Sequence, residues 1–155
     1  MKISYRIYVL IATFFYIGYL PLIPGTFGSL AGLAIFLALN GNVAFQLTAL
    51  FIILYLGFLS SGKAEEILGK KDPGCVVIDE VAGMLITFLF IPFEIKTILI
   101  GFLVFRLMDT VKPFPAYGLQ KKHGSIGIMG DDIVAGIYSN LVLQVVLRFT
   151  SFMGA

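Results

Sequence analysis

Apolar residues run through this chain in blocks, and polar residues collect in a few short intervals between them. Six apolar segments stand out, at residues 3–20, 27–39, 43–60, 76–91, 95–111 and 132–152. Pro21 and Pro24 close the first, Asn40-Gly41-Asn42 the second, Pro92 the fourth and Pro113 the fifth. These residues mark segment ends because proline lacks the amide that a helix interior needs, and glycine loses the most freedom on becoming helical. Two polar loops, 61–74 and 112–130, separate the blocks. The pattern predicts an all-α fold: a polytopic integral membrane bundle of about six apolar segments, some short or re-entrant, forming one domain over residues 1–155. A segment of about 16–18 residues rises only about 24–27 Å, short of the ~30 Å hydrocarbon core of a bilayer. Segment ends are therefore expected at headgroup level, the depth of a phospholipid's phosphate.

Composition sharpens this picture. The chain is 59% hydrophobic and 13% charged, against about 25% charged residues in soluble domains. Mean hydropathy is +0.99. A net charge of +2 without a basic stripe argues against nucleic acid as a partner, and no protein partner is implied. The single cysteine, Cys75, excludes an internal disulfide and reads as an ordinary loop residue after Asp72-Pro73-Gly74. The basic, apolar N-terminus has a signal-peptide outline but no small-x-small cleavage site, so it is expected to be retained. Lys63, Lys70 and Lys71 lie in the first polar loop, and Lys112, Lys121 and Lys122 in the second. The positive-inside rule puts both loops in the cytoplasm. Segments four and five then cross out and back through Pro92-Phe93-Glu94, and segments two and three through Asn40-Gly41-Asn42. A fully spanning first segment would put Lys2 and Arg6 on the other side; a first segment that lies in the interface or re-enters removes that conflict.

The acids carry the chemistry. Only nine Asp and Glu occur, and four of them form two adjacent pairs flanked by apolar sequence, Asp79-Glu80 and Asp131-Asp132. Asp109 ends a third apolar run. Acids beside membrane-like sequence are costly and usually tied to function, and carboxylates gathered at low dielectric repel unless a cation or proton neutralises them. The expectation is a membrane-embedded enzyme with Asp79, Glu80, Asp109, Asp131 and Asp132 around a divalent metal. One histidine and no cysteine cluster disfavour zinc, whereas oxygen ligands suit Mg²⁺.

Each feature also has a plainer account. Asp79 and Glu80 could simply be helix-start acids favoured by the macrodipole, with Gly83 on the same face allowing close approach. Arg106, Asp109 and Lys112 recur every three residues along one helix face. They could form an internal ion pair with a snorkelling lysine, or Arg106 and Lys112 could bind phosphate oxygens. Asp131 could be a helix N-cap. Asp132, Gly136 and Asn140 form a small-and-polar stripe that is harder to dismiss. In Pro24-Gly25-Thr26-Phe27-Gly28-Ser29, the amides and hydroxyls of Gly25, Thr26, Gly28 and Ser29 could bind an anion or merely form a capped turn. His123 could protonate a leaving alkoxide or order its glycine loop. Lys63, Glu65 and Glu66 read as a solvated helical face, though Glu66 or Asp72 could reach the site.

Taken together, the stretches at residues 24–32 (PGTFGSLAG), 79–84 (DEVAGM), 105–115 (FRLMDTVKPFP) and 123–136 (HGSIGIMGDDIVAG) resemble the phosphatidylglycerophosphatase A family. The likeness runs over nearly the whole chain, in order and with similar spacing. The motifs of haloacid-type phosphatases, type 2 phosphatidate phosphatases and CDP-alcohol phosphotransferases are absent. Ser125 departs from the family pattern, where a second glycine often follows Gly124. The resemblance implies a bacterial inner-membrane enzyme that hydrolyses phosphatidylglycerol phosphate to phosphatidylglycerol and inorganic phosphate with Mg²⁺, in phospholipid biosynthesis. Catalysis would fall to Asp79, Asp109, Asp132 and His123, with the active site on the cytoplasmic side, the bilayer as surroundings, and water or an Asp as nucleophile. The alternative is a small ion-binding membrane protein or transporter, which would need polar groups across the whole bilayer.

Overall fold

The computed structural model describes residues 3–153. Lys2 lies outside them. All regular structure among the described residues is helical: α1 (Ile3–Ala12), α2 (Pro24–Ala38), α3 (Val43–Leu68), α4 (Ile78–Thr87), α5 (Ile95–Val111), α6 (Ala116–Gln120) and α7 (Ser125–Met153). A single 3₁₀ turn, Ile17–Tyr19, follows α1. Between them Phe14, Phe15 and Tyr16 hold positive φ angles of 45°, 57° and 68°. The Thr13 hydroxyl steadies this break, donating to the Val9 carbonyl at 2.8 Å and accepting from the Tyr16 amide at 3.2 Å. The first apolar segment is thus two short pieces, not one helix.

Helix α4 is the centre of the molecule. Eight of its ten residues are buried, and α2, α3, α5 and α7 pack around it. Backbone-close crossings make this possible. A Cβ at Gly28 would lie 2.8 Å from Val77 Cβ, and one at Gly32 would lie 2.8 Å from Met84 Cβ, so α2 sits directly on α4. On the opposite side, a Cβ at Gly136 of α7 would lie 2.5 Å from the Gly83 carbonyl oxygen. Below the crossings Phe36 stacks on Phe88, ring centres 4.6 Å apart, in a core with Met84, Phe105 and Leu143.

Segment boundaries differ from the hydrophobic blocks in three places. Helix α3 continues past residue 60 to Leu68 and stops at Gly69, whose φ of 63° suits a glycine cap. Helix α7 begins at Ser125, so Asp131 and Asp132 lie nearly two turns inside it, and Asp131 is not an N-cap. The segment at 76–91 yields only ten helical residues, which rise about 15 Å, half the ~30 Å hydrocarbon core. Residues 88–94 are irregular. The mid-bundle Asn140 explains how α4 can end inside the protein: its amide donates to the carbonyls of Thr87 at 3.0 Å and Leu89 at 2.8 Å. These carbonyls would otherwise be orphaned.

The all-helical class is as expected; of the six apolar segments, expected to include short or re-entrant ones, only some form long helices. Among the described residues two helices are long and apolar enough to cross a membrane, α3 and residues 125–149 of α7, with mean hydropathies of 2.1 and 1.4. Their outer faces are apolar: Phe45, Phe51 and Tyr55 on α3, and Val145 and Phe149 on α7, are exposed, as are Leu99, Leu103 and Leu107 on α5. Apolar surface of this extent is of the kind that contacts a membrane or another apolar partner. The polar loops meet at one end of the bundle, where Lys71 Nζ donates to the Lys121 carbonyl at 2.7 Å.

Candidate active site

Three helices deliver charged groups to one region. The first turn of α4 brings Asp79 and Glu80, the second turn of α7 brings Asp131 and Asp132, the last two turns of α5 bring Arg106 and Asp109, and Lys112 follows just beyond. Asp79, Glu80 and Asp132 each present a carboxylate oxygen, and these atoms lie within 4.8 Å of one another. Asp79, Asp131 and Asp132 are buried. Asp79 Oδ1, Glu80 Oε2 and Asp131 Oδ1 are shielded from solvent with no hydrogen-bond partner. Gly83, one turn after Asp79, allows the approach, since a Cβ there would lie 2.8 Å from the Asp132 carbonyl oxygen.

The remaining acids pair with the two basic residues. Arg106 Nη1 donates to Asp109 Oδ2 at 2.7 Å and to the Ser29 hydroxyl at 3.2 Å. Lys112 Nζ donates to Asp131 Oδ2 and lies 3.9 Å from Asp109 Oδ1. Lys112 caps α5 in the left-handed conformation, φ 48°. Burial works to lower its proton affinity, but the hydrogen bond and charge of Asp131, with Asp132 and Asp109, outweigh it, and its pKa is raised. Lys112 is thus held as a cation. Asp109 also neighbours Asp132 and joins the two subgroups.

Charge balance decides what this arrangement can do. Five carboxylates face two cations, an excess of three negative charges when all are ionised. Such an excess at low dielectric requires protons or further cations. The donor set is all oxygen, several of its oxygens have no partner, and three converge from two helices. Those properties fit a hard divalent cation. Arg106 uses only Nη1 within the protein, so its other donors are available to a phosphate among the described residues.

The glycine motif on α2 also reaches this region. A Cβ at Gly25 would lie 2.6 Å from Glu80 Oε1 and 3.5 Å from Arg106 Nη1. The motif does not offer a row of free amides. Pro24 has none, and the amides of Thr26 and Phe27 donate to the Ile23 carbonyl at 3.0 and 3.2 Å. What remains is the Gly25 amide and the half-buried Thr26. Gly28 is a packing contact against Val77. Ser29 is fully buried, donates to the Gly25 carbonyl at 2.9 Å and receives Arg106, so it holds the arginine from behind.

His123 is not with the acids. Its exposed ring faces Glu65, Nδ1 to Oε1 at 3.0 Å. Glu65 also accepts from the amides of Gly124 at 3.2 Å and Asp72 at 3.3 Å, tying both polar loops to the end of α3. Sequence reasoning read Glu65 as solvated and missed this; the discoverable signal was Gly69 as a helix stop, which keeps Glu65 helical. Glu66 pairs with Lys63 at 2.8 Å, and Asp72 accepts from Gln120 at 3.4 Å, so neither joins the acid trio. Ser125, where a second glycine was expected, donates to the Phe58 carbonyl at 2.7 Å and accepts from the Gly62 amide at 3.0 Å, locking α7 to α3.

Comparison with known proteins is consistent along the chain. The family model for Phosphatidylglycerophosphatase A matches residues 10–147. A phosphatidylglycerophosphatase A of Escherichia coli is 37% identical, over 86% of this chain and 80% of the relative. That of Haemophilus influenzae is 36% identical, over 77% of this chain and 76% of the relative. A Bacteroides thetaiotaomicron protein, provisionally named a phosphatidylinositol-3-phosphatase, is 34% identical over 88% of this chain and 91% of its own length. No solved structure matches.

Proposed function

The chain belongs to the phosphatidylglycerophosphatase A family, and from that premise we propose that it is a Mg²⁺-dependent phosphatase that hydrolyses phosphatidylglycerol phosphate to phosphatidylglycerol and inorganic phosphate. The observation that carries this reading is the convergence of buried Asp79 and Asp132 with half-buried Glu80, one oxygen each of Asp79 and Glu80 left unpartnered, beside Arg106 and Lys112. A phosphomonoester dianion cannot enter a site with three excess negative charges unless cations enter too.

Asp79, Glu80 and Asp132 would hold Mg²⁺, with Asp109 and Asp131 adjacent. When bound, such a cation neutralises phosphoryl charge and polarises the phosphoryl oxygen. The protein's own groups do the rest. Arg106, steadied by Ser29 and Asp109, presents its remaining donors to two phosphoryl oxygens. Lys112 adds a point charge from the other side of Asp109. The Gly25 amide and Thr26 hydroxyl border the same space. In the reaction, an oxygen from water joins phosphorus as the ester P–O bond breaks, and the lipid's glycerol oxygen leaves as an alcohol. His123, facing Glu65, is left out of this chemistry.

The bilayer setting follows from the same ends of the chain. Lys63, Lys70, Lys71, Lys112, Lys121 and Lys122 gather on the two polar loops. We therefore assign the site to the cytoplasmic side of a bacterial inner membrane, in a multi-pass protein serving phospholipid biosynthesis. The ion-pathway alternative is disfavoured because Asn140 caps α4 and Gln144 donates to Asn140 at 2.7 Å, so neither continues a polar path.

Phosphate release from phosphatidylglycerol phosphate in detergent micelles tests the proposal. Release with Mg²⁺, lost with EDTA and in Asp79→Asn, is expected. Absence of release from folded protein would overturn it. Parallel assay of phosphatidylinositol 3-phosphate is warranted by the Bacteroides relative, and faster release from that lipid would reassign the headgroup.

A further inference from the structure

Two neighbouring hollows share Tyr19 and Leu68 and form one groove. The larger, about 660 Å³, has an apolar floor of Val9, Ile67 and Leu68 with Arg6 at its edge. The smaller, about 470 Å³, carries Lys70 and ends at Pro24. Pro24 precedes Gly25, the residue against Glu80 and Arg106. The groove thus runs from the broken α1 segment to the wall of the acid site.

Its charge is unmatched within the protein. Among the described residues neither Arg6 nor Lys70 has a carboxylate partner. The nearby acids are committed elsewhere: Glu65 to His123 and two amides, Glu66 to Lys63, Asp72 to Gln120. An apolar floor with two free cations suits an amphipathic anion. Tyr16 and Tyr19 line the groove and, with Phe15, form an exposed aromatic cluster at the α1 break, a composition suited to headgroup depth.

We propose that this groove is the lipid-anchoring subsite of the phosphatase, where Lys70 and Arg6 hold the phosphodiester of the substrate while its glycerolipid body lies on Val9, Ile67 and Leu68. The inference rests on the phosphatase reading. It explains how one lipid with two phosphates could be bound: the phosphodiester at Lys70, and the terminal phosphomonoester beyond Gly25 at Arg106 and Lys112. Lys70 and Arg6 are specificity-determining groups in this scheme and touch no reacting atom.

Steady-state kinetics on mixed micelles tests the subsite, with wild type, Lys70→Ala, Lys70→Arg, Arg6→Ala and Lys71→Ala. Loss of one charge-assisted contact should raise KM for phosphatidylglycerol phosphate about five- to tenfold with kcat nearly unchanged. Lys70→Arg should restore it. Lys71→Ala, which removes a neighbouring cation outside the groove, should leave KM alone. An unchanged KM in Lys70→Ala overturns the subsite, and so does an equal rise in Lys71→Ala, which would mean general attraction to an anionic surface. Binding of fluorescent phosphatidylglycerol, which keeps the phosphodiester and lacks the terminal phosphate, is read separately by polarisation. Wild type that binds this lipid through Lys70 but releases no phosphate overturns the reaction and leaves the groove. Phosphate release by wild type, with Lys70→Ala binding the lipid as tightly as wild type, does the reverse.

Discussion

Two carboxylate centres lie close to the same end of the bundle, and they are built on opposite terms. At Glu65 one side chain accepts from His123 and from two loop amides. At Asp79, Glu80 and Asp132 three carboxylates converge, and buried oxygens are left without any partner. The first arrangement is complete and joins structural elements. The second is incomplete within the protein, and folding must have placed it there against its own desolvation cost. The contrast separates an acid whose oxygens are all engaged in joining the fold from acids whose buried oxygens have no partner in the protein.

The largest effect should come from the incomplete centre. Asp79→Asn and Asp132→Asn should each lower kcat by ~10³-fold or more while leaving the melting temperature equal or higher, because a strained negative charge is removed. Wild-type turnover in both would erase the distinction. EDTA should mimic these variants, and added Mg²⁺ should reverse it only in the wild type. Arg106→Lys keeps the charge and loses the planar fork, so kcat/KM should fall about 10–100-fold. Gly136→Val would drive a side chain into the Gly83 carbonyl; thermal or chemical unfolding should show a loss of ~1–3 kcal/mol or more. The smallest effect belongs to the complete centre. Glu65→Gln weakens hydrogen bonds that a neutral amide can partly replace, so stability should drop by about 1 kcal/mol. Its kcat should stay near wild type, and a kcat loss matching Asp79→Asn would place Glu65 in the chemistry.

Much of the site was legible before any coordinates. Acids embedded in apolar sequence are expensive, so Asp79-Glu80 and Asp131-Asp132 announced themselves by where they sat. Arg106, Asp109 and Lys112 declared a shared face through helical spacing, and the structure joins them by ion pairs. Partner choice was not legible. Asp131 and Asp132 are adjacent in sequence but diverge around the helix, so one meets Lys112 and the other meets Asp79 and Glu80. Ser29 looked like a phosphate ligand because nothing local shows that Arg106 lies behind it.

Hydrophobic blocks by themselves determined the helical class, the membrane-facing composition and the residues on which chemistry could rest. These depend on local composition and period, which the chain carries on its face. Only the tertiary structure decided how many blocks become long helices. Helix α4 can stop after ten residues because Asn140, far away in sequence, caps carbonyls at its end, and the late part of α3 is tied to the start of α7 by Ser125 and by Glu65 with Gly124. Helix ends and carboxylate partners depend on which buried polar groups find one another, and that is a property of packing in three dimensions.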